Sequence, residues 1–314
     1  MTTLGNVTND PTKGLGETML DTTMVGAIAA PLKSEVLLVA DSDEDTLLQS
    51  LQYVLDRPQT TRPLVFSSSW IYTELSLNGH HVTQEEADTY EKVSAALAAA
   101  GTTVVFSSGD DGLDSLTGDN QCIVNGPSPM FPSSPSILVV GATAGFPQQA
   151  VQKGDASLGN FWSGAGWSKL YRRPRYQIAV GDPYVQSLSA NQTQYVNTSG
   201  RILVDVSAYG SNIAVVLQGQ VIQIWGTSAS APLFASTLAL VNSARRTQGK
   251  GSVGYVHEHL YTSGLSSGAL IDVTKGTTCG CPDIPNLCFD CQPGYDPATG
   301  LGWPYLSGLL KLFT

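Results

Sequence analysis

The chain reads Ile224-Trp225-Gly226-Thr227-Ser228-Ala229-Ser230-Ala231-Pro232 before an apolar, helix-forming run, which predicts a buried strand that turns into a helix at Ser228. Small residues beside Ser228 leave room for a substrate backbone. Pro232 is expected in the first helical turn, where its missing N–H costs nothing. Because a helix N-terminus favours negative charge, the pattern predicts a nucleophile at Ser228. The alternative interpretation is a polar N-cap on a core helix.

A serine nucleophile needs a nearby base, which is usually a histidine held by a carboxylate. None of the four histidines lies in the His-Gly-Thr motif that carries the catalytic histidine of subtilisins. All four are predicted to be surface or turn residues: His80, His81, His257 and His259. The base is therefore expected among the carboxylates.

A pair of carboxylates lies near the start of the chain. The segment that opens at Gly14 is predicted to be helical until Pro31 ends it, which places Glu17 and Asp21 four residues apart on one face. Asp21 could hold Glu17 by sharing a proton, and two adjacent carboxylates do not both ionise easily, so one pKa is raised. The alternative is a solvated helix face.

A third carboxylate follows an apolar run, Thr102-Thr103-Val104-Val105-Phe106, which predicts a buried parallel strand. Asp110 lies in Ser107-Ser108-Gly109-Asp110-Asp111-Gly112, at the strand end where α/β enzymes place ligand groups. A protonated Asp110 could donate a hydrogen bond to a developing oxyanion. The alternative is a turn built on Gly-Asp.

In chain order these groups resemble the active-site motifs of the sedolisins, the serine-carboxyl peptidases, most closely the tripeptidyl-peptidase I branch. The resemblance covers nearly the whole chain. The motifs are Gly-Glu-x-x-Leu-Asp from Gly16, Ser-Gly-Asp-x-Gly from Ser108 and Gly-Thr-Ser-Ala-Ser-Ala-Pro from Gly226. It implies that Ser228 is the nucleophile, Glu17 the general base and then acid, Asp21 its partner and Asp110 the oxyanion-stabilising acid.

A C-terminal loop carries two aspartates with glycines and backbone carbonyls between them, and such hard oxygen ligands suit calcium. The resemblance implies a Ca2+ site with carboxylate oxygens from Asp272 and Asp296 and carbonyl oxygens from Val273, Gln292 and Gly294. Gln292 stands where the family usually has glycine, so strain is expected there. Without the resemblance, an Asp-Pro turn is the better interpretation.

The five cysteines are Cys122, Cys279, Cys281, Cys288 and Cys291. The spacing of the last four also fits a zinc site. The resemblance instead implies disulfides in the C-terminal loop, with one reaching back to the region of Cys122, and the odd count leaves one thiol unpaired or bonded to chain not present. Sequons at Asn6, Asn191 and Asn197 fit a secretory route.

Composition fits one large domain with a substantial core: the 314 residues are 42% hydrophobic and 13% charged. Apolar strand patterns at 36–40, 64–67, 104–107, 137–141 and 213–217 alternate with helical ones. The expected fold is α/β and subtilisin-like, with a mainly parallel sheet flanked by helices and a C-terminal calcium-binding loop. A net charge of −10 argues against nucleic acid as a partner, and no apolar run suggests a membrane span.

Residues 1–314 are thus expected to form a single sedolisin-like peptidase domain that lacks the family's N-terminal strands and its pro-domain, which would be a separate or removed partner. The expected activity is acid hydrolysis of peptides or unfolded proteins in a lysosomal, acidic vacuolar or extracellular setting. Glu74 is a candidate for binding the substrate's free amine in tripeptide release, and endopeptidase activity stays open. The alternative is a truncated or non-catalytic relative that acts as a calcium-stabilised binding domain.

Overall fold

The computed structural model describes residues 2–3, 16–39, 44–74, 82–113, 130–131, 133–281, 284 and 286–314. The helices are α1 Gly16–Ala29, α2 Glu44–Asp56, α3 Gln84–Ala99, α4 Arg175–Ser187, α5 Ala190–Thr193, α6 Thr227–Thr247, α7 His257–Ser263 and α8 Leu306–Phe313. The strands are β1 Thr2–Thr3, β2 Leu37–Leu38, β3 Val65–Ser68, β4 Tyr72–Thr73, β5 Thr103–Ser107, β6 Met130–Phe131, β7 Leu138–Ala144, β8 Gln149–Ala150, β9 Trp167–Arg172, β10 Gly200–Ile202, β11 Val206–Tyr209, β12 Ile213–Leu217, β13 Gln220–Ile224, β14 Leu270–Ile271, β15 Thr277–Cys279, β16 Cys288–Asp290 and β17 Trp303–Pro304.

The central sheet is parallel, and helices cover it. Its strands lie in the order β11-β7-β5-β3, and β8 joins β7 in antiparallel fashion. Strands β5 and β7 are buried along their whole length, as expected for a parallel sheet covered on both faces. The long helix α6 packs across all four parallel strands. The expected subtilisin-like α/β class is confirmed.

Two strand predictions were wrong in their pairing. The run at 36–40 forms only the two-residue β2, which pairs with β1 outside the central sheet. The run at 213–217 is β12, which forms an antiparallel hairpin with β13 instead of a fourth parallel strand. That hairpin leaves Val216 54% and Val221 73% exposed, so an apolar run here did not mean a buried strand. The fourth parallel strand is β11, which the sequence reading missed.

A capping box fixes the start of helix α3. The Thr83 side chain accepts a hydrogen bond from the Glu86 N–H, while the Glu86 carboxylate accepts one from the Thr83 N–H. A cap of this kind stabilises a helix by about 1 kcal/mol. Buried Tyr90 then packs edge-on against Phe131, with ring centroids 4.8 Å apart, which anchors α3 to the core on one side of the sheet.

A buried ion pair contacts the central sheet at β7. Arg201 and Asp205 are fully buried and 2.7 Å apart, and Asp205 also accepts hydrogen bonds from the Val139 N–H and the Tyr261 hydroxyl. Burial acts to raise the pKa of Asp205, but the charge of Arg201, together with His257 and the Val139 N–H, lowers it overall. His257 lies in the same network, with Nε2 3.1 Å from the carbonyl oxygen of Ile137.

The prediction that all the histidines are surface or turn residues was therefore wrong for His257, which is buried. It starts a short helix whose inner face meets the network. His259 is exposed as expected, and its ring contacts Phe313. His80 and His81 lie outside the described residues.

The C-terminal cysteines form disulfides. Cys279 pairs with Cys288 across the β15–β16 hairpin, and Cys281 is also disulfide-bonded. Cys291 is a free thiol, and Cys122 lies outside the described residues. Since Cys279, Cys281 and Cys288 are all disulfide-bonded, the zinc alternative loses three of its four ligands.

Candidate active site

The ends of β3 and β5 meet the start of α6 at a cleft of about 200 Å³. Because β3 and β5 are parallel neighbours, the segments that follow them leave the same edge of the sheet. The cleft is lined by Ser69, Trp70, Ile71, Ser107, Gly109, Asp110, Asp111, Thr227 and Ser228. Two of the predicted site residues, Asp110 and Ser228, are thus brought together.

Ser228 lies in the first turn of α6, which begins at Thr227. Its side chain is half-buried, and the first N–H groups of a helix have no intrahelical acceptor. The predicted change to a helix is confirmed, but the preceding strand β13 is largely exposed and not buried. Pro232 was also placed wrongly: it lies in the second turn, where it removes the N–H that would reach the carbonyl of Ser228.

Asp110 is held by the residue before the nucleophile. Its Oδ1 accepts hydrogen bonds from the Thr227 N–H at 2.7 Å and from the Thr227 hydroxyl at 2.8 Å. Burial raises the pKa of Asp110 to about 6, with smaller contributions from the charges of Asp111 and Glu17. Because Oδ1 already accepts two hydrogen bonds, the proton of the neutral acid belongs on Oδ2. Asp110 is therefore arranged to donate from Oδ2 in acid.

Gly226 allows Asp110 to approach the helix start. Its φ is +137°, and a Cβ added there would lie 2.8 Å from Oδ2 of Asp110. We expect Gly226→Ala to lower the free energy of unfolding by about 1–2 kcal/mol through the strained backbone and to reduce turnover by displacing Asp110. Denaturant unfolding and steady-state kinetics measure the two effects. The matched control is Gly219→Ala, whose φ is +79° in an open turn with no atom near the added Cβ. Equal turnover in the two variants would contradict this account.

Glu17 and Asp21 lie on α1, which forms as predicted and packs against α6. Asp21 Oδ1 accepts a hydrogen bond from the Ser69 hydroxyl at 2.7 Å. Burial raises the pKa of Asp21 to about 7, the Ser69 hydrogen bond opposes the rise, and the charge of Glu17 adds to it. Oε1 of Glu17 is buried and has no hydrogen-bond partner among the described residues. This oxygen is therefore able to accept a hydrogen bond from a substrate or from a neighbouring acid.

Ser69 connects Asp21 to the helix turn that carries Ser228. The carboxyl of Asp21 reaches the nucleophile's turn through Ser69, whose hydroxyl also lies 3.2 Å from the carbonyl oxygen of Ser228. The charge of Glu17 raises the pKa of both Asp21 and Asp110, so Glu17 lies within electrostatic reach of both. The expected direct hydrogen bond between Glu17 and Asp21 is absent from the described contacts, and Ser69 is the partner of Asp21 instead.

Glu74 was wrongly placed as a residue that faces the substrate. It is 1% exposed and accepts hydrogen bonds from the Ser133 hydroxyl at 2.5 Å, the Lys169 N–H at 2.7 Å and the Ser168 hydroxyl. Burial raises its pKa. Trp225 is 47% exposed and does not line the cleft, whereas Trp70 does.

Ser69 and Thr227 are site residues that the sequence did not predict. Ser69 lies in a Ser-Ser-Ser-Trp run that looks like an ordinary turn, and only the position at the end of β3, beside β5, could have indicated it. Thr227 lies within a recognised motif, but its double hydrogen bond to Asp110 depends on the packing of α6 against the sheet.

The predicted metal loop places two carboxylates next to a tight turn. Asp272 Oδ2 accepts a hydrogen bond from the Gly294 N–H at 2.7 Å, and Asp296 Oδ2 accepts one from the Gln292 N–H at 3.2 Å. Gly294 has φ +93°, a conformation that favours glycine. Gln292 is not among the residues with positive φ, so the strain expected there is not found.

Two features of this loop fit a cation. Oδ1 of Asp272 is buried without a partner in the described part of the chain. Asp296 is fully buried, and burial raises its pKa to about 7 despite hydrogen bonds from Ala298 and Thr299. No cluster of three or more His, Cys, Asp or Glu side chains occurs among the described residues, so backbone carbonyls such as that of Val273 would have to complete a site. Oxygen ligands of this mixture suit calcium.

A profile of the Subtilase family matches residues 32–263. The chain belongs to the subtilase family. Within the family it is sedolisin-like, as fungal tripeptidyl-peptidases of similar sequence and a sedolisin of similar structure indicate. The matched range contains Asp110 and Ser228, whereas Glu17, Asp21 and the C-terminal loop lie outside it.

Curated fungal proteins resemble this subtilase over most of its length. It is 32% identical over 289 residues to "Probable tripeptidyl-peptidase SED3" of Trichophyton verrucosum, covering 86% of this chain and 45% of the relative. It is 37% identical over 243 residues to aorsin of Aspergillus oryzae, covering 69% and 36%. The chain therefore spans about half the length or less of these relatives.

A solved structure shows the same fold. Pseudomonas sedolisin, a serine-carboxyl proteinase complexed with two molecules of pseudo-iodotyrostatin, matches with a TM-score of 0.74 over 99% of this chain and 83% of that one. The two sequences are 22% identical, so the match supports the fold and does not by itself assign residue roles.

Proposed function

We propose that this subtilase is a serine-carboxyl peptidase that acts in acid. The observation that carries the proposal is the cleft in which Asp110, bonded twice to Thr227, lines the same wall as Ser228. A serine at a helix start beside a protonatable carboxyl fits acyl transfer, in which a tetrahedral oxyanion forms.

In the proposed reaction, Glu17 accepts and returns each proton that is transferred. Ser228 Oγ attacks the peptide carbonyl carbon while its proton passes to Glu17. The oxyanion then accepts hydrogen bonds from Asp110 and from free N–H groups in the first turn of α6. Glu17 returns the proton to the leaving amine as the C–N bond breaks, leaving an acyl-enzyme. Water attacks the ester with Glu17 again as base, and Ser228 regains its proton.

The pKa values set an upper pH limit. Asp110 donates only when neutral, so its contribution is present well below its pKa of about 6 and is lost as the pH rises through that value. Asp21 loses its proton at higher pH, around 7. Activity is therefore expected in acid and should fall between about pH 5 and pH 7.

An internally quenched peptide tests the proposal when assayed from about pH 3 to pH 8 with calcium present. Cleavage confined to acid supports it. Folded protein that cleaves no peptide at any pH would favour the alternative of a non-catalytic binding domain, and an undiminished rate through neutral pH would exclude a neutral Asp110 as the oxyanion donor.

We also propose that the enzyme releases tripeptides from the N-termini of its substrates. This proposal is supported by the names of the fungal relatives, whereas the burial of Glu74 removes the residue first expected to bind the substrate amine. Mass spectrometry of products from one peptide with a free and with an acetylated N-terminus distinguishes the modes. Tripeptides from the free form alone would support exopeptidase action, and internal cleavage of both forms would show an endopeptidase.

We further propose that the loop of Asp272 and Asp296 binds calcium, with the carbonyls of Val273, Gln292 and Gly294 as additional ligands. The buried, unpartnered Oδ1 of Asp272 supports this. Bound calcium would supply positive charge to these two carboxylates and would hold the C-terminal loop in place, where Tyr295 donates a hydrogen bond to the carbonyl of Val204, just before β11.

Calcium at millimolar concentration is expected to raise the melting temperature of the wild-type chain by several degrees, since ligand binding to the native state adds about 3–4 kcal/mol at saturation. Differential scanning calorimetry with calcium or EGTA measures the shift. Asp272→Asn should abolish it, whereas Asp290→Asn, an exposed strand residue outside the proposed ligands, should retain it. An equal shift in Asp272→Asn would contradict the site.

Secretion to an acidic compartment is proposed from the disulfides of the C-terminal region, since such bonds form in oxidising environments. The sequons differ in their suitability. Asn191 is exposed, but Nδ2 of Asn197 donates a hydrogen bond to the carbonyl of Ser168 at 2.8 Å, which a glycan would disturb. Asn6 lies outside the described residues. Among the helices that the structure describes, none is both long enough and apolar enough to span a bilayer.

A further inference from the structure

We propose that Ser69 is a positioning residue for this reaction: its hydroxyl joins the carboxyl of Asp21 to the turn that carries the nucleophile, and directs the proton of Asp21 to the oxygen left for Glu17. This rests on the proposed peptidase function and deepens it. Nothing in the sequence motifs points to Ser69.

The geometry places one hydroxyl between α1 and α6, two helices that pack against each other. Ser69 Oγ lies 2.7 Å from Oδ1 of Asp21 on α1 and 3.2 Å from the carbonyl oxygen of Ser228 on α6. The Ser69 side chain is itself buried, and its own carbonyl accepts a hydrogen bond from Ser107 at 2.9 Å. The end of β3 is thereby fixed to β5, and the hydroxyl is held in place.

Pro232 explains why the carbonyl of Ser228 is available. In a helix this carbonyl would accept the N–H of the residue four positions later, and proline has none. The Ser228 carbonyl therefore lies without its intrahelical donor, on the same residue as the attacking Oγ. The contact from Ser69 to this carbonyl therefore links the backbone of the nucleophile to the Asp21–Glu17 pair of carboxyls.

The hydroxyl has a single proton, and the shorter distance assigns it to Asp21. With Oδ1 of Asp21 occupied as an acceptor, the neutral acid carries its proton on Oδ2. That oxygen is then the donor available to Glu17, whose Oε1 is buried without a partner in the described residues. Ser69 thus fixes which oxygen of Asp21 is available to Glu17.

The ionisable surroundings of Asp21 are few. On α1 the charged neighbour is Glu17, which raises the pKa of Asp21. The elements packed against α1 are α6 and β12. β12 has no ionisable side chain, and α6 has only Arg245 and Arg246, both in its last turn. The hydroxyl of Ser69 is therefore the polar group that most opposes the effect of burial on Asp21.

Kinetics of three Ser69 variants test the proposal. Ser69→Ala is expected to lower kcat by about 10-fold to 100-fold with KM nearly unchanged, because orientation is lost but substrate contacts are kept. Ser69→Thr keeps the hydroxyl and should recover most of the rate, whereas Ser69→Cys, a poor donor of similar size, should not. Ser230→Ala is the matched control. Ser230 lies on α6 and donates a buried hydrogen bond to the carbonyl of Ala208 on β11, so the variant loses a serine hydrogen bond that involves no carboxyl.

The titration of Asp21 provides a readout that a merely structural hydrogen bond would not move. In Ser69→Ala the ionised form loses a donor, so the carboxyl ¹³C chemical shift of Asp21 should titrate about one pH unit higher than in the wild type. Ser230→Ala should leave it unchanged. Because this measurement needs no substrate, it tests the inference even if the wild-type chain cleaves no peptide, which would overturn the proposed function alone.

Two results would overturn the inference. One is a Ser69→Ala variant with wild-type kcat and an unmoved Asp21 titration. The other is an equal loss of kcat in Ser69→Ala, Ser69→Thr and Ser230→Ala that follows their melting temperatures, which would show that Ser69 only stabilises the fold.

Discussion

Ser228→Ala is expected to lower kcat by at least about 10⁴-fold while the fold is retained. The physical reason is that the acyl-enzyme route disappears: no hydroxyl remains to attack the carbonyl, and Glu17 has no proton to accept. The remaining cleft, including Asp110 and its bonds to Thr227, still binds substrate, so KM should change little. Steady-state cleavage of a quenched peptide at about pH 4 measures the effect.

Ser236→Ala is the matched control for this variant. Ser236 lies on the same helix, is buried, and has a hydroxyl without a partner in the part of the chain described, so alanine removes no hydrogen bond. It should retain wild-type turnover. If Ser228→Ala kept more than a few per cent of the wild-type rate, a serine nucleophile would be excluded.

Asp110→Ala is expected to lower kcat by about 10²-fold to 10³-fold, the usual loss when one oxyanion donor is removed. It also leaves the N–H and hydroxyl of Thr227 without their acceptor, which disturbs the start of α6. Calorimetry should therefore show a lower melting temperature, and kinetics a loss in kcat larger than any change in KM.

Asp110→Asn separates the chemistry from the structure. Its carbonyl oxygen can replace Oδ1 as the acceptor for Thr227, and its amide N–H can replace the acid as a donor at any pH. The rate should therefore exceed that of Asp110→Ala, and the fall near pH 6 should disappear, leaving a fall around pH 7 where Asp21 ionises. An Asn variant that still lost activity at the wild-type pH would show that Asp110 does not set the limit.

Local sequence patterns predicted the parts of the fold that depend on nearby residues. The helix that carries Glu17 and Asp21 and the strand before Asp110 follow from short-range periodicity and flanking residues. The apolar run at Ile213–Leu217 has the composition of a buried strand, yet it forms an exposed hairpin, because pairing depends on the partner strand that follows. The fourth parallel strand, β11, was missed because its place in the sheet depends on pairing with β7, which is distant in the sequence.

The site was predictable in its ionisable groups and not in its connections. Glu17, Asp21, Asp110 and Ser228 stand in motifs, so their chemistry could be named from the sequence. The role of Ser69 depends on the distance between α1, β3 and α6, which are far apart in the chain. Glu74 shows the reverse error, since an acidic residue near the right strand points into the core.

The central claim is that Ser228 forms an acyl-enzyme, and trapping that species tests it most directly. The wild-type chain is mixed with excess peptide ester at about pH 4, quenched in strong acid within the first turnovers, and analysed by intact mass and peptide mapping. The account predicts added mass equal to the acyl group, located on Ser228 and absent from Ser228→Ala. Turnover without any adduct, or an adduct on another residue, would contradict it.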